Sequence, residues 1–259
     1  MDIRIAFFDI DGTLVPFGEQ GVRPRVRSAL ERLRENGVKL FICTGRAPFN
    51  LAPLEGIGYD GCIAYNGSYA WDASGVLHEN CLREEDIRAV VRNARELGLP
   101  VIVSTLDRFG ANFFQQALDE YMGFSKHGCD VLAEDAYEEL IRGRVFQLMV
   151  GTRREQDEAL VRGVPGVKAA RWWDMAVDIV PAGSSKSDGM ARVLEKLGLV
   201  REQSIAFGDG GNDADMLEYA GIGIAMGNAE PSVRASADLI APPCEEDGVI
   251  SVLEDLGLI

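Results

Sequence analysis

Short apolar runs alternate with amphipathic stretches along most of the chain. Ile3 to Phe8 is β-rich and almost wholly apolar, as expected of a strand buried in a parallel sheet. Val22, Val26, Ala29, Leu30 and Leu33 recur at helical spacing before Gly37, which predicts a helix over 22–36. Val38 to Cys43 and Cys62 to Tyr65 read as the next two strands. Tyr69 to Trp71 and Val76 to His78 suggest a hairpin around Ala73-Ser74-Gly75.

From about Arg83 the texture changes. Ile87, Val90, Val91, Ala94 and Leu97 predict a helix that stops at Gly98, and Val101 to Val103 follows as a strand. Val145 to Val150 is another strand, with a helix through Ala159, Leu160 and Val161 after it. Lys168 to Trp173 and Met175 to Val180 read as two strands joined near Asp174. Adjacent strands with intervening helices suggest an α+β unit of its own. The stretch 108–135 shows no clear period, and Phe113, Phe114 and Tyr121 within it suit either core or cleft. After Pro181-Ala182-Gly183 the strand–helix rhythm returns. A helix carries Met190, Val193, Leu194 and Leu197, and Ser204 to Phe207 is a strand. Another helix contains Met216 and Leu217, strands run over 222–226 and 239–241, and a last helix covers about 249–256.

Composition narrows the classes. At 259 residues with 47% hydrophobic content the chain can build one large domain plus a smaller one. A net charge of −15 argues against nucleic acid or an anionic membrane as partner. An anionic substrate would then need positive charge concentrated locally. Cys43, Cys62, Cys81, Cys129 and Cys244 are scattered and odd in number, which reads as reduced thiols in a cytosol. No signal-peptide region precedes the first strand, and no apolar run reaches spanning length, so a cytoplasmic protein is expected.

The polar residues that close the apolar runs carry the candidate chemistry. Asp9-Ile10-Asp11-Gly12-Thr13 ends the first strand, and in open α/β sheets ligands bind at such strand exits. Asp9 and Asp11 can share one crevice while Ile10 packs. Their repulsion would be relieved by a proton or a hard divalent cation. A plain acidic turn is the alternative, since Asp-Gly is a common turn former. Thr44-Gly45-Arg46 leaves the second strand ahead of Pro48, offering either a phosphate cradle at a strand-to-helix junction or an ordinary N-cap. Arg46 could equally be a surface charge. Asn66 is a turn residue or a polar group facing the crevice, and His78 reads as structural. Lys186 opens a helix, where a cation opposes the dipole; it is a solvated surface lysine or it meets an anion. Gly208-Asp209-Gly210-Gly211-Asn212-Asp213 gathers three polar, metal-type side chains after a strand, although Asp213 alone could be an N-cap.

Taken together, Asp9-Ile10-Asp11-Gly12-Thr13-Leu14, Thr44-Gly45-Arg46, Lys186 and the 208–213 segment with Met216 behind it resemble the motifs of the haloacid dehalogenase superfamily, and within it the Cof-type phosphatases. Ala237-Asp238 and Asp247-Gly248-Val249 are similar to the closing segment of that family. The resemblance covers essentially the whole chain. It implies an α/β fold: a Rossmann-like parallel-sheet core over 1–82 and 182–259, with an α/β cap inserted at 83–181. It also implies that Asp9 is the nucleophile and Asp11 the general acid/base. Mg²⁺ would be held by Asp9, Asp209 and the carbonyl of Asp11, with Asp213 supporting through water. Thr44, Gly45, Lys186 and Asn212 would hold the phosphoryl oxygens. The reading is a Mg²⁺-dependent phosphatase for small phosphomonoesters, sugar phosphates above all. A phosphomutase of the same superfamily and a phospho-ligand sensor are the rivals, and the intact aspartate pair weighs against a sensor.

Arg171-Trp172-Trp173-Asp174-Met175 forms the turn between two predicted cap strands. On a regular strand adjacent tryptophans point to opposite faces, so at most one packs into the cap's own core. The other, with Asp174, is a candidate for selecting the leaving group.

Overall fold

The computed structural model describes residues 2–116 and 129–259, and Tyr121 lies outside them. The chain divides into two compact units, Met1–Thr44 with Leu51–His78 and Ser185–Ile259, and Gly45–Asn50 with Glu79–Ser184. The expected insertion at 83–181 falls inside the second unit, which also takes Gly45–Asn50.

The first unit is built on an eight-stranded sheet. In chain order its strands begin with β1 (Ile5–Phe8), β2 (Lys39–Cys43), β3 (Gly61–Ala64), β4 (Tyr69–Asp72) and β5 (Gly75–Glu79). The second unit contributes β6 (Ile102–Ser104), β7 (Phe109–Ala111), β8 (Asp130–Val131), β9 (Gln147–Gly151), β10 (Val167–Trp173) and β11 (Ala176–Pro181). The chain then returns with β12 (Ser204–Gly208), β13 (Ile222–Ala225) and β14 (Leu239–Ile240).

The large sheet has the order β14-β13-β12-β1-β2-β3-β4-β5. β1 pairs in parallel with both β12 and β2, and β4 runs antiparallel to β3. From β1 the chain steps outward through β2 and β3, and after its excursion it steps outward the other way through β12 and β13. The strand order therefore reverses between β1 and β12, which is where a ligand crevice opens in such sheets. Burial explains the unbroken apolar runs: every residue of β1, β3 and β12 is buried. Ile5 and Phe7 meet Met190, Val193, Leu194, Met216 and Leu217 from the helices Lys186–Leu197 and Ala214–Tyr219. Phe8 stacks on Phe207 across the β1–β12 pair, with ring centroids 4.9 Å apart.

The second unit is a six-stranded sheet in the order β10-β11-β9-β6-β7-β8. Alternation works strictly here. Val101, Val103, Leu148, Val150, Val177 and Ile179 meet helices Glu84–Glu96 and Glu134–Ile141, while Ile102, Met149 and Ala176 gather on the opposite side with Phe109 and Trp172. The sequence reading found no elements over 108–135, whereas the structure has β7, β8 and the start of helix Glu134–Ile141 there. Strands of two or three residues are too short to show a period.

The hairpin tip corrects another expectation. β10 pairs Arg171 with Val177 but Trp173 with Ala176, so one extra residue is inserted and the alternation breaks at Trp172. The two indoles consequently lie together, centroids 6.2 Å apart, instead of on opposite faces. Trp172 is half-buried and Trp173 is exposed. Buried Arg171 locks the tip. Its Nη1 donates to the carbonyl oxygens of Thr152, Trp173, Asp174 and Ala176, and it pairs with Asp157.

Candidate active site

Asp9 follows the last residue of β1, and its N–H donates to Phe207 O (3.0 Å), so the backbone ladder with β12 fixes where its side chain starts. The chain then turns sharply: Thr13, Leu14 and Val15 N–H all donate to Ile10 O, and Ile10 itself is fully buried. Gly12 makes this possible. Its φ is +82°, and a Cβ there would lie 2.1 Å from Asp209 Oδ2. The β1 turn thus lies so close to the Asp209 carboxylate that only a glycine hydrogen fits between them.

From the facing strand exit come Asp209, Asn212 and Asp213. Asp213 is completely buried, and its Oδ2 accepts from the N–H groups of Asp209 (3.0 Å) and Gly210 (2.8 Å). It closes its own loop and makes no side-chain cap to the helix that follows, so the N-cap reading fails. Asp209 accepts Thr13 Oγ1 on Oδ1 at 2.8 Å, which ties the β12 exit to the β1 turn.

Lys186 bridges the carboxylates. It begins helix Lys186–Leu197, whose N-cap is Ser185, its Oγ accepting from Asp188 N–H. Its side chain leaves the helix face and runs into the core, with no exposed side-chain surface. Nζ donates to Asp9 Oδ1 (2.5 Å) and to Asp213 Oδ1. The surface-lysine alternative is excluded, and the cation meets its anions away from the dipole. Ser187 N–H and Oγ both donate to Asp215 Oδ2, at 3.1 and 2.6 Å, which fastens this first turn to helix Ala214–Tyr219.

One oxygen each from Asp9, Asp209 and Asp213 falls within 4.8 Å of the others, all three residues being buried. Electrostatics register the crowding. Burial, reinforced by Asp213 and Asp11 and opposed by Lys186, pushes Asp9 up to about 7. Burial, with Asp9 and Asp213 adding to it, pushes Asp209 up to about 9. Burial disfavours the charge of Lys186, but Asp213 and Asp9 prevail and hold it well above its usual value. Three carboxylates face one ammonium, an excess that one divalent cation would cancel. Buried oxygen donors at this spacing suit a hard ion of that kind.

The β2 exit departs from expectation. No α-helix follows Thr44: the next elements are the 3-10 turns Pro48–Asn50 and Ala52–Leu54, so neither an N-cap at Thr44 nor a helix dipole exists there. Thr44 is buried and continues the ladder, with N–H to Ile63 O (2.8 Å) and its own O accepting from Asn66 N–H (3.1 Å). Gly45 and Arg46 belong to the segment that packs with the second unit. Gly45 O accepts from buried Gln147 (3.2 Å), and Arg46 Nη1 donates to Asn50 O (3.3 Å). Asn66 satisfies both of its readings. It is a left-handed turn residue (φ 52°), and its buried Oδ1 accepts from Asn212 Nδ2 at 2.8 Å. Asp11 is half-buried at the mouth of the β1 turn, close enough to raise Asp9.

Asn228 was missed. It lies just past β13, at the same end of the sheet, and its Nδ2 donates to Gly12 O (2.9 Å) and Asp209 Oδ2 (3.3 Å). The available signal was its place, a polar residue in the short turn after the apolar strand Ile222–Ala225.

The sequence profile of the haloacid dehalogenase-like hydrolases matches residues 6–253. The chain belongs to that family. Among relatives of these hydrolases, YkrA of Bacillus subtilis (strain 168) is 33% identical over 261 residues, spanning all of both chains. The 5-amino-6-(5-phospho-D-ribitylamino)uracil phosphatase YcsE of the same organism is 28% identical over 98% of this chain and 95% of its own. The solved structure of BT4131, a sugar phosphatase of subclass IIB in the haloacid dehalogenase superfamily, superposes with a TM-score of 0.91 at 28% identity, covering 99% of this chain and 100% of that one. Among the described residues no helix is long and apolar enough to cross a membrane.

Proposed function

We propose that this hydrolase is a Mg²⁺-dependent phosphatase that removes the phosphoryl group from small phosphomonoesters by way of an aspartyl-phosphate on Asp9. The observation that carries the reading is the buried set of Asp9, Asp209, Asp213 and Lys186 at the β1 and β12 exits, in a chain of this family. Sugar phosphates are the proposed class, supported by the sugar phosphatase BT4131 and by the phosphorylated ribityl chain in the name of YcsE.

Asp9, Asp209 and the carbonyl of Asp11 would hold the metal. Asp213 already accepts three hydrogen bonds, which suits a supporting place reached through water. When bound, Mg²⁺ would neutralise phosphoryl charge and favour the ionised carboxylates. An Asp9 oxygen attacks phosphorus as the ester P–O bond breaks, and Asp11 gives its proton to the departing alkoxide. Asp11 then takes a proton from water, whose oxygen attacks phosphorus and releases Asp9 as carboxylate. Lys186 keeps Asp9 placed and opposes its protonation before attack, and with Thr44, Gly45 and Asn212 it is proposed to balance charge on the phosphoryl oxygens. Arg46 and Asn66 are proposed to support that binding. The second unit is proposed to act as the cap that selects the alcohol. A panel of phosphorylated metabolites tests the reading: inorganic phosphate should appear, and chelator should abolish it. An isomeric phosphate ester as product would point to a mutase, and binding without turnover to a sensor.

A further inference from the structure

We infer that Asn228 is a positioning residue for the metal-binding carboxylate of Asp209, an inference that rests on the proposed metal site. Three hydrogen bonds converge on one side chain. Its amide nitrogen donates to Gly12 O at 2.9 Å and to Asp209 Oδ2 at 3.3 Å, while its Oδ1 accepts from Cys244 N–H at 2.9 Å. Cys244 continues the chain of contacts, its thiol donating to Thr13 O at 3.1 Å. Thr13 in turn holds the other oxygen of Asp209 through its hydroxyl at 2.8 Å.

Asp209 is thereby gripped from both sides, Oδ1 by Thr13 and Oδ2 by Asn228, so its plane cannot rotate without breaking one bond. Both donors are neutral. A carboxylate oxygen has two acceptor positions, so each grip leaves one for a cation. A lysine or arginine at 228 would orient Asp209 equally well but would also neutralise it, competing with the metal. A neutral amide orients without competing. The other two bonds of Asn228 explain how it is itself held: Gly12 O belongs to the β1 turn and Cys244 N–H to the segment before the last helix, so three strand exits share one anchor. Outer partners of this kind commonly account for about 10–100-fold in metal affinity. The side chain is largely exposed, so its loss leaves the core packing untouched.

The test uses the full-length, substrate-free protein titrated with Mn²⁺ alone, with the unbound ion followed by electron paramagnetic resonance and the metal-free melting temperature read beside it. Asn228→Ala is expected to weaken Mn²⁺ binding about 10-fold in a protein that stays fully folded, metal-free, at the temperature of the titration. Asn228→Gln, which keeps the amide on a longer stem, is expected to fall between. Should Asn228→Ala prove unstable, Asn228→Ser replaces it and must show the same loss. Wild-type affinity in any folded variant lacking the amide overturns the inference, as does a lower metal-free melting temperature with unchanged affinity. A wild-type protein that binds no Mn²⁺ would sink the proposed function, and this inference with it.

Discussion

A lysine ammonium with no exposed surface survives only because two carboxylates hold it. Removing one partner of a buried ion pair costs about 3–5 kcal/mol. Lys186→Ala should therefore lose most turnover and also lower the unfolding free energy of the metal-free protein, read from urea titration, by an amount of that order. A silent substitution would show that the pair contributes nothing. Asp9→Asn should abolish turnover with the fold intact, because an amide is a very poor nucleophile. Asp11→Asn should lower kcat by about 10²–10⁴-fold on an alkyl phosphate, the usual worth of one proton transfer.

Asp9 and Asp209 also predict a dependence on pH. Their folded values, about 7 and about 9, lie above the ordinary 3.8, so between 3.8 and those values the folded metal-free protein binds more protons than the unfolded chain. Stability from these two groups is therefore present at low pH and lost as pH rises through the folded values. A cation displaces those protons, so the gain in melting temperature on adding Mg²⁺ should be larger near pH 8 than near pH 5.5. An increment independent of pH would contradict the assignment. The chemistry of Asp9 and Asp209 was legible because each stands directly after an apolar strand, and that of Lys186 because a cation opens a helix. Their mutual contacts were not, since Lys186 and Asp9 are 177 residues apart in the chain.

At the level of elements, β1 and β12 present their carboxylates because a glycine turn follows each. Gly12→Ala places a methyl group against Asp209 and requires the left-handed φ of +82°, which disfavours any side chain. It should weaken metal binding at least as much as the loss of Asn228 does, read in the same Mn²⁺ titration. The long elements were readable from periodicity. The tip of β10–β11 was not, because a bulge shifts the side-chain alternation by one residue and nothing in Arg171-Trp172-Trp173 announces it. Only the finished turn shows why: Arg171 needs several carbonyl oxygens around it, and the bulge supplies them. Trp173 is exposed at that tip. If the second unit selects the alcohol, Trp173→Ala should change the ranking of kcat/KM among phosphorylated substrates and spare a small aryl phosphate. An equal fall on every substrate would remove that role.

For the molecule as a whole, strongly acidic composition and an anionic substrate are reconciled by concentration of charge. The chain carries a net charge of −15, while Lys186 and the proposed Mg²⁺ place positive charge at one sheet end. Stripping metal should abolish turnover and Mg²⁺ should restore it, whereas Ca²⁺, larger and looser in coordination, should restore little. The most direct measurement is rapid acid quench of the Mg²⁺-loaded protein with radiolabelled aryl phosphate, followed by peptide mapping. Label should accumulate transiently on the peptide carrying Asp9, and none should appear in Asp9→Asn. Phosphate released at the full rate with no label on the protein at any quench time would contradict the aspartyl-phosphate route.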